Sequence, residues 1–319
     1  MRMNMKSHST KTIPIILLTI FFFSVSAYAN LRIMSYNIEN FWLRFDGESG
    51  TITTQGAELD KDDLERLEII ADVIDDKEPD VIGILECASL AELIYFNERF
   101  LEENYLCWSF RAYDSRSYGI PLGIMVKKDL EVRSVKLVEP RSFSLRGIIV
   151  ADIAKDEYEF TLILVHLKSK IEKKLGDSAL RRDKQGDRLR EIIAEKLESD
   201  PEANIIICGD FNDFPDKDEQ EEAAEVEDLI AKMMTPIILP GEIEVAVYSP
   251  TLDSSDLDVN GELWTEKTEE YGAVLFDYFF LTEGVEEEFI GIDHVYPEEF
   301  EDIEKASDHI PVVVELNGG

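Results

Sequence analysis

The stretch Ile205-Ile206-Ile207-Cys208-Gly209-Asp210-Phe211-Asn212 runs from four apolar residues, through a glycine, into a carboxylate and an amide two positions apart. A short β-branched run with no polar alternation reads as a strand buried on both faces, as in sheets covered by helices. Polar groups are costly to bury unless they are paired. Asp210 and Asn212 therefore read as side chains that this strand delivers to a rim.

Working outward, the same punctuation recurs. Leu31 to Tyr36 ends at Asn37, Val81 to Leu85 at Glu86, and Phe160 to Val165 at His166. Leu122 to Val126, Ile148 to Ile153, Val274 to Phe280 and Pro311 to Leu316 are further runs of strand length, and Asp277 and His309 stand in or beside the last two. A single Glu after a strand is more often a satisfied structural carboxylate than a ligand. Several such endings in one chain turn the odds toward a site. Helical spacing of Leu64, Leu67, Ile70 and Ile74 predicts a helix that Asp62 or Asp63 caps, and further helices are expected over Ala179 to Leu197 and Glu219 to Met234. Strands alternating with helices predict an α/β sandwich.

Residues 1–29 have a basic start at Arg2, Lys6 and Lys11, an apolar stretch from Ile13 to Phe23, and Ala27-Tyr28-Ala29 before Asn30. That is the pattern of a cleaved signal peptide, and the run is far short of the roughly 20 residues a membrane span needs. The expectation is a secreted or periplasmic protein, cut near Ala29 and Asn30 and not stably bound to a membrane. No linker-like composition divides residues 30–319, so one domain and a monomer are expected.

The formal net charge is −36, and cleavage of the leader, which carries three basic and no acidic residues, leaves −39. Nonspecific affinity for nucleic acid comes from Lys and Arg displacing counterions, so the charge argues against a duplex-coating protein and any nucleic-acid substrate should be bound weakly. Three cysteines, Cys87, Cys107 and Cys208, are too few for a disulfide scaffold.

The residue types fit one chemistry. Hydrolysis of a phosphodiester calls for a hard cation, and hard cations take oxygen ligands. Glu86, Asp308 and Asn37 supply such oxygens, and without a His and Cys cluster Mg²⁺ or Mn²⁺ fits better than Zn²⁺. Asp210 with Asn212 is the natural pair to orient and deprotonate water, His166 and His309 can donate to a phosphoryl oxygen, and Asp277 can fix the tautomer of His309. Lys168 and Lys170 open a basic stretch directly after His166 and are expected to track a phosphate backbone. Asp256, Asp258 and Asn260 before Gly261 have the spacing of a calcium loop, but Lys267 stands where the bidentate Glu belongs and Glu266 comes one residue early. A turn is the commoner meaning of such a stretch.

Taken together, Ser35-Tyr36-Asn37, Leu85-Glu86, Val165-His166-Leu167, Gly209-Asp210-Phe211-Asn212, Phe276-Asp277-Tyr278 and Ser307-Asp308-His309 resemble the endonuclease/exonuclease/phosphatase superfamily. The resemblance implies a four-layer α/β sandwich of the deoxyribonuclease I type, two packed mixed β-sheets flanked by helices. It implies Glu86 as principal metal ligand, with Asn37 and Asp308 beside it. Asp210 is implied as activator of water, Asn212 as its companion, His309 paired with Asp277 as a phosphate contact, and His166 as the second catalytic histidine. Arg146 and the Arg182 to Gln185 helix start match substrate-facing or structural positions. One departure is Pro121, where many relatives place an acidic partner for the first histidine; Tyr113, Asp114 and Tyr118 are the local substitutes. The expected activity is a metal-dependent nuclease. The alternatives are a lipid phosphodiesterase of the sphingomyelinase kind, a small phosphate-ester phosphatase, and a binding protein without catalysis. No loop rich in Trp and Phe for membrane entry is present in the sequence, which favours the nuclease.

Overall fold

The computed structural model describes residues 30–39, 61–87, 89–110, 120–139, 146–171, 173–268, 270–300 and 302–318. The expected leader, Tyr113, Asp114 and Tyr118 lie outside the described residues. In chain order the first half holds β1 (Leu31–Asn37), α1 (Lys61–Lys77), β2 (Val81–Leu85), α2 (Leu90–Phe100), β3 (Tyr105–Phe110), β4 (Leu122–Lys127), β5 (Glu131–Val138), β6 (Ile148–Lys155) and β7 (Tyr158–His166). There follow α3 (Asp177–Leu197), β8 (Ile205–Asp210), α4 (Glu219–Ala224), α5 (Leu229–Met234), β9 (Ile237–Leu239), β10 (Ile243–Val245) and β11 (Val247–Tyr248). The chain ends with β12 (Glu266–Thr268), β13 (Gly272–Val274), β14 (Asp277–Thr282), β15 (Phe289–His294), α6 (Ile303–Ala306) and β16 (Val312–Leu316).

Two six-stranded mixed sheets carry the fold, in the orders β15-β16-β1-β2-β4-β3 and β11-β14-β8-β7-β6-β5. Each contains one parallel pair, β1 with β2 and β7 with β8, among antiparallel neighbours. Side chains alternate across each strand with period two, and both faces are apolar. In β8, Ile206 and Cys208 face the other sheet, whereas Ile205 and Ile207 face helices. In β1, Leu31 and Ile33 point inward, while Met34 and Tyr36 meet α1. The result is one core between the sheets and one outside each sheet, that outside the first sheet lying under α1 and α2 and that outside the second under α3 and α5. This is the expected four-layer sandwich. Gly83 marks how closely the layers approach, since a Cβ there would lie 2.5 Å from Leu164 Cδ1.

Some element boundaries differ from expectation for local reasons. The helix expected over Glu219 to Met234 is broken in two: Glu225 ends α4 in a left-handed conformation at φ 56°, and Asp228 caps α5 by accepting from Ala231 N at 2.9 Å. The strand expected from Val274 to Phe280 is interrupted at Leu275 and Phe276. There the hydroxyl of buried Thr265 accepts from Phe276 N and Asp277 N, at 3.0 and 2.9 Å, in place of a ladder carbonyl. Asp62 and Asp63 lie in the first turn of α1 and complement its dipole. None of the three cysteines forms a disulfide, and no described helix is long and apolar enough to cross a membrane.

Candidate active site

Both parallel pairs run toward one rim. Asn37 ends β1 in register with Leu85, Glu86 follows β2, and His166 pairs with Asp210 where β7 and β8 stop together. From the antiparallel side, Asp277 starts β14 opposite Asp210, and His309 lies three residues before β16. The fold thus gathers residues from six distant stretches.

The side chains form a continuous set of contacts. Asp277 Oδ2 is 2.7 Å from His309 Nδ1, which leaves Nε2 to face the site. Asn37 is oriented by its Oδ1 accepting from Glu39 N at 3.1 Å, so its Nδ2 donates to Asp210 Oδ2 at 3.1 Å and lies 3.2 Å from His309 Nε2. The other oxygen of Asp210 accepts from Asn212 N at 2.7 Å, and Asn212 Nδ2 approaches Leu167 O at 3.4 Å. His166 Nε2 stands 3.4 Å from Asp210 Oδ2 and 3.7 Å from Glu86 Oε1. Its Nδ1 has no partner among the described residues, as the proline at the expected acidic position would suggest.

Backbone geometry makes these placements demanding. Glu86 and Asn212 adopt left-handed conformations at φ 57° and 52°, which carry a cost outside glycine and cluster at functional sites. Gly209 has φ 135°, and a Cβ there would come within 1.9 Å of Val165 O, so only glycine lets β8 lie beside β7 at the turn into Asp210. Ser307 Oγ donates to Asn37 O at 2.8 Å and accepts from His309 N at 3.1 Å, joining the two signatures at opposite ends of the chain.

The electrostatics divide the labour. Burial holds the Asp210 carboxyl well above the usual range and Asp277 adds to it, while His309 and Arg146 oppose; a raised carboxylate is a stronger base. Burial alone would lower His309, but Asp277, Asp210 and Glu266 outweigh it and hold the imidazole well above its ordinary value. Burial pushes His166 well below, aided by Arg146 and His309. One histidine is therefore cationic and the other neutral. Burial raises Asp308, against His309 and with Glu39 and Glu86 adding to it, so negative charge accumulates where a cation would relieve it.

Not all expected positions face the rim. Arg146 Nη1 donates to Leu167 O at 2.7 Å, close enough to Asp210 and Glu86 to affect the site. Lys168 Nζ donates to the carbonyls of Ser169 and Ile171 in its own loop. Lys170, expected to contact substrate, is corrected: it is buried, and its Nζ lies 2.6 Å from Asp213 Oδ1 and 2.7 Å from Asp218 Oδ2. Arg182 is also fully buried, with Nε 3.0 Å from Asp213 Oδ2, and Gln185 accepts from Lys168 N, so the basic stretch contributes structural pairs there. The stretch expected to bind calcium makes bonds of its own: Asp258 accepts from Asn260 N, Glu262 N and Trp264 Nε1, and Asp256 accepts from His294 N, 38 positions further on. His294 ends β15 fully buried.

Sequence reasoning missed one residue of the rim. Glu266 Oε2 lies 3.4 Å from His309 Nε2, and Glu266, Asp308 and His309 offer ligand atoms within 4.8 Å of one another. Only an isolated bridge between Glu266 and His309 brings the hairpin here, and nothing in Trp264-Thr265-Glu266 announces it.

With this geometry in view, the comparisons agree. The model of the Endonuclease/Exonuclease/phosphatase family matches residues 34–309, and the chain belongs to that family. Among solved structures, an endonuclease/exonuclease/phosphatase family protein from Bacteroides thetaiotaomicron is similar with TM-score 0.60 and 17% identity, over 91% of this chain and 98% of that one. The human Nocturnin catalytic domain with bound sulfate anion gives 0.58 and 16%, over 90% and 94%. Danio rerio (D. rerio) TDP2 complexed with single strand DNA product gives 0.54 and 17%, over 91% and 99%. At such identities the likeness shows the fold. A search of curated proteins finds no match.

Proposed function

We propose that this chain is an exported phosphodiesterase dependent on a divalent cation, with nucleic acid as its substrate. The observation that carries the reading is that Asp277, His309, Asn37, Asp210 and His166 meet at one rim, pairing a strengthened base with a cationic imidazole. Asp210 takes the proton of the attacking water, and Asn212 N–H holds the carboxylate in place. His309, kept protonated beside Asp277, donates from Nε2 to a phosphoryl oxygen as charge develops. His166, neutral in its buried place, contributes a hydrogen bond without charge.

The carboxylates of Glu86 and Asp308, with Asn37 beside them, fit Mg²⁺ or Mn²⁺, hard cations that take oxygen ligands. When bound, such a cation supplies neutralisation of the phosphoryl charge. The nuclease reading rests on the lack of a membrane-entry loop in the sequence and on the family, and one relative carries single strand DNA product. Export rests on the leader pattern of residues 1–29. Supercoiled plasmid, single-stranded RNA and sphingomyelin, each incubated with Mg²⁺ or chelator, test it: nucleic-acid cleavage abolished by chelator is expected. Sphingomyelin turnover with nucleic acid intact would overturn the substrate, and activity unaffected by chelator would overturn the cation.

A further inference from the structure

We infer that Glu266 makes the site selective for phosphodiesters over phosphomonoesters and speeds departure of the monoester product, an inference that rests on the phosphodiesterase reading. With Nδ1 of His309 committed to Asp277, a phosphoryl oxygen can meet this ring only at Nε2. Glu266 Oε2 is already there, at 3.4 Å. Whatever His309 binds must lie against a second carboxylate.

Glu266 is fixed at that place from both sides. Across the β12–β13 hairpin it pairs with Val274, and on its other edge it bridges to His309. The flanking residues repeat the clamp: Thr265 N donates to Val274 O, Ile310 N to Thr265 O, and Lys267 N to Asp308 O, at 2.8, 2.8 and 2.9 Å. Its side chain is only 12% exposed, so it has little room to turn to solvent. Nor is its charge cancelled by the neighbouring lysine. Lys267 points to the opposite face of the strand, 4.4 Å over the Trp264 ring, and pairs with Glu304. Among the described residues His309 is the cationic side chain that Glu266 meets.

A phosphodiester brings one negative charge to this position and a phosphomonoester brings up to two. Each meets Glu266 at a separation of a few ångströms, where one additional unit charge changes affinity about tenfold or more at the effective dielectric of a protein surface. The carboxylate is tolerable for the substrate and repels the product. Hydrolysis turns the former into the latter: water adds to phosphorus as its proton passes to Asp210, the P–O bond to the leaving alkoxide breaks, the alkoxide takes up a proton, and the monoester carries the extra charge once its own remaining proton is lost.

Wild type, Glu266→Gln and Glu266→Asp are compared in alkaline buffer on bis(p-nitrophenyl) phosphate and p-nitrophenyl phosphate. Binding of inorganic phosphate and of dimethyl phosphate is measured in parallel by calorimetry. The expected result is that Glu266→Gln raises the ratio of monoester to diester kcat/KM about tenfold and tightens inorganic phosphate by a similar factor, with a much smaller change for dimethyl phosphate. Glu266→Asp, which keeps the charge, should change that ratio far less than Glu266→Gln does, whatever its own rate. Equal gains for both anions, or an unchanged ratio, would overturn the inference. A folded wild type that binds both anions but cleaves no diester would refute the proposed function alone, and the calorimetry would still decide the role of Glu266.

Discussion

His309 gathers more of the site's chemistry than any other side chain, because Asp277 at 2.7 Å fixes one nitrogen and orients the other. Replacing it with alanine should lower kcat roughly 10² to 10⁴-fold, the usual worth of a positioned proton donor. Asp277→Asn should lower kcat less, and the alkaline limb of the pH profile should move to lower pH as the imidazole loses the carboxylate that raises it. Glu266 carries a second pH signature. Burial raises its carboxyl from 4.5 to about 7, with Asp277, Asp308 and Glu86 adding to this and His309 opposing. An acid harder to ionise when folded stabilises the fold only while protonated, so its contribution is lost as pH rises from about 4.5 to about 7. Melting in chelator across that window should show wild type losing about 1–3 kcal/mol relative to Glu266→Gln; parallel curves would contradict it. Most of these residues were legible in the sequence because each ends an apolar run. Glu266 was not, since a cross-strand bridge alone brings it to His309. Lys170 was misread because its carboxylate Asp213 lies 43 positions further on, and local charge pattern cannot distinguish a solvated basic run from a buried ion pair.

Individual elements aim those residues, and their tolerances differ. Gly209→Ala would set a Cβ against Val165 O at a positive φ, so β7 and β8 must separate; a loss of several kcal/mol by denaturant titration is expected, with activity lost alongside. Thr265→Val keeps the shape but strands the N–H groups of Phe276 and Asp277, each costing about 1–3 kcal/mol if left unpaired. Lys170→Met leaves Asp213 facing Arg182 without its second cation, and breaking such a buried pair costs about 3–5 kcal/mol. Because the loss is in folding, cleavage of DNA and of a small diester should fall together, and a DNA-only effect would restore Lys170 to a substrate role. Strands β1, β2, β4, β6, β7, β8, β14 and β16 were readable from short apolar or alternating runs. The half-buried strands β3 and β5, the edge strand β15 and the two-part break between α4 and α5 were not. Their residues are weakly patterned, and what decides them is pairing or capping by distant partners.

As a whole, the molecule packs two sheets so that both parallel pairs open toward the same rim. That convergence, which no single segment encodes, turns six separated signatures into one site. Its formal charge of −36 would work against the proposed anionic substrate. At constant Mg²⁺, kcat/KM for DNA should therefore rise as salt increases from low ionic strength to about 0.1 M, where the screening length falls to about 10 Å. A steep fall, typical of proteins that hold DNA through Lys and Arg, would contradict it. The most direct test of the central claim is hydrolysis of bis(p-nitrophenyl) phosphate by wild type, Asp210→Asn and His309→Ala, each with Mg²⁺ and with chelator. The account predicts turnover by wild type with Mg²⁺ alone and a loss of roughly 10²-fold or more in both variants; wild-type rates in either variant, or undiminished hydrolysis in chelator, would contradict it.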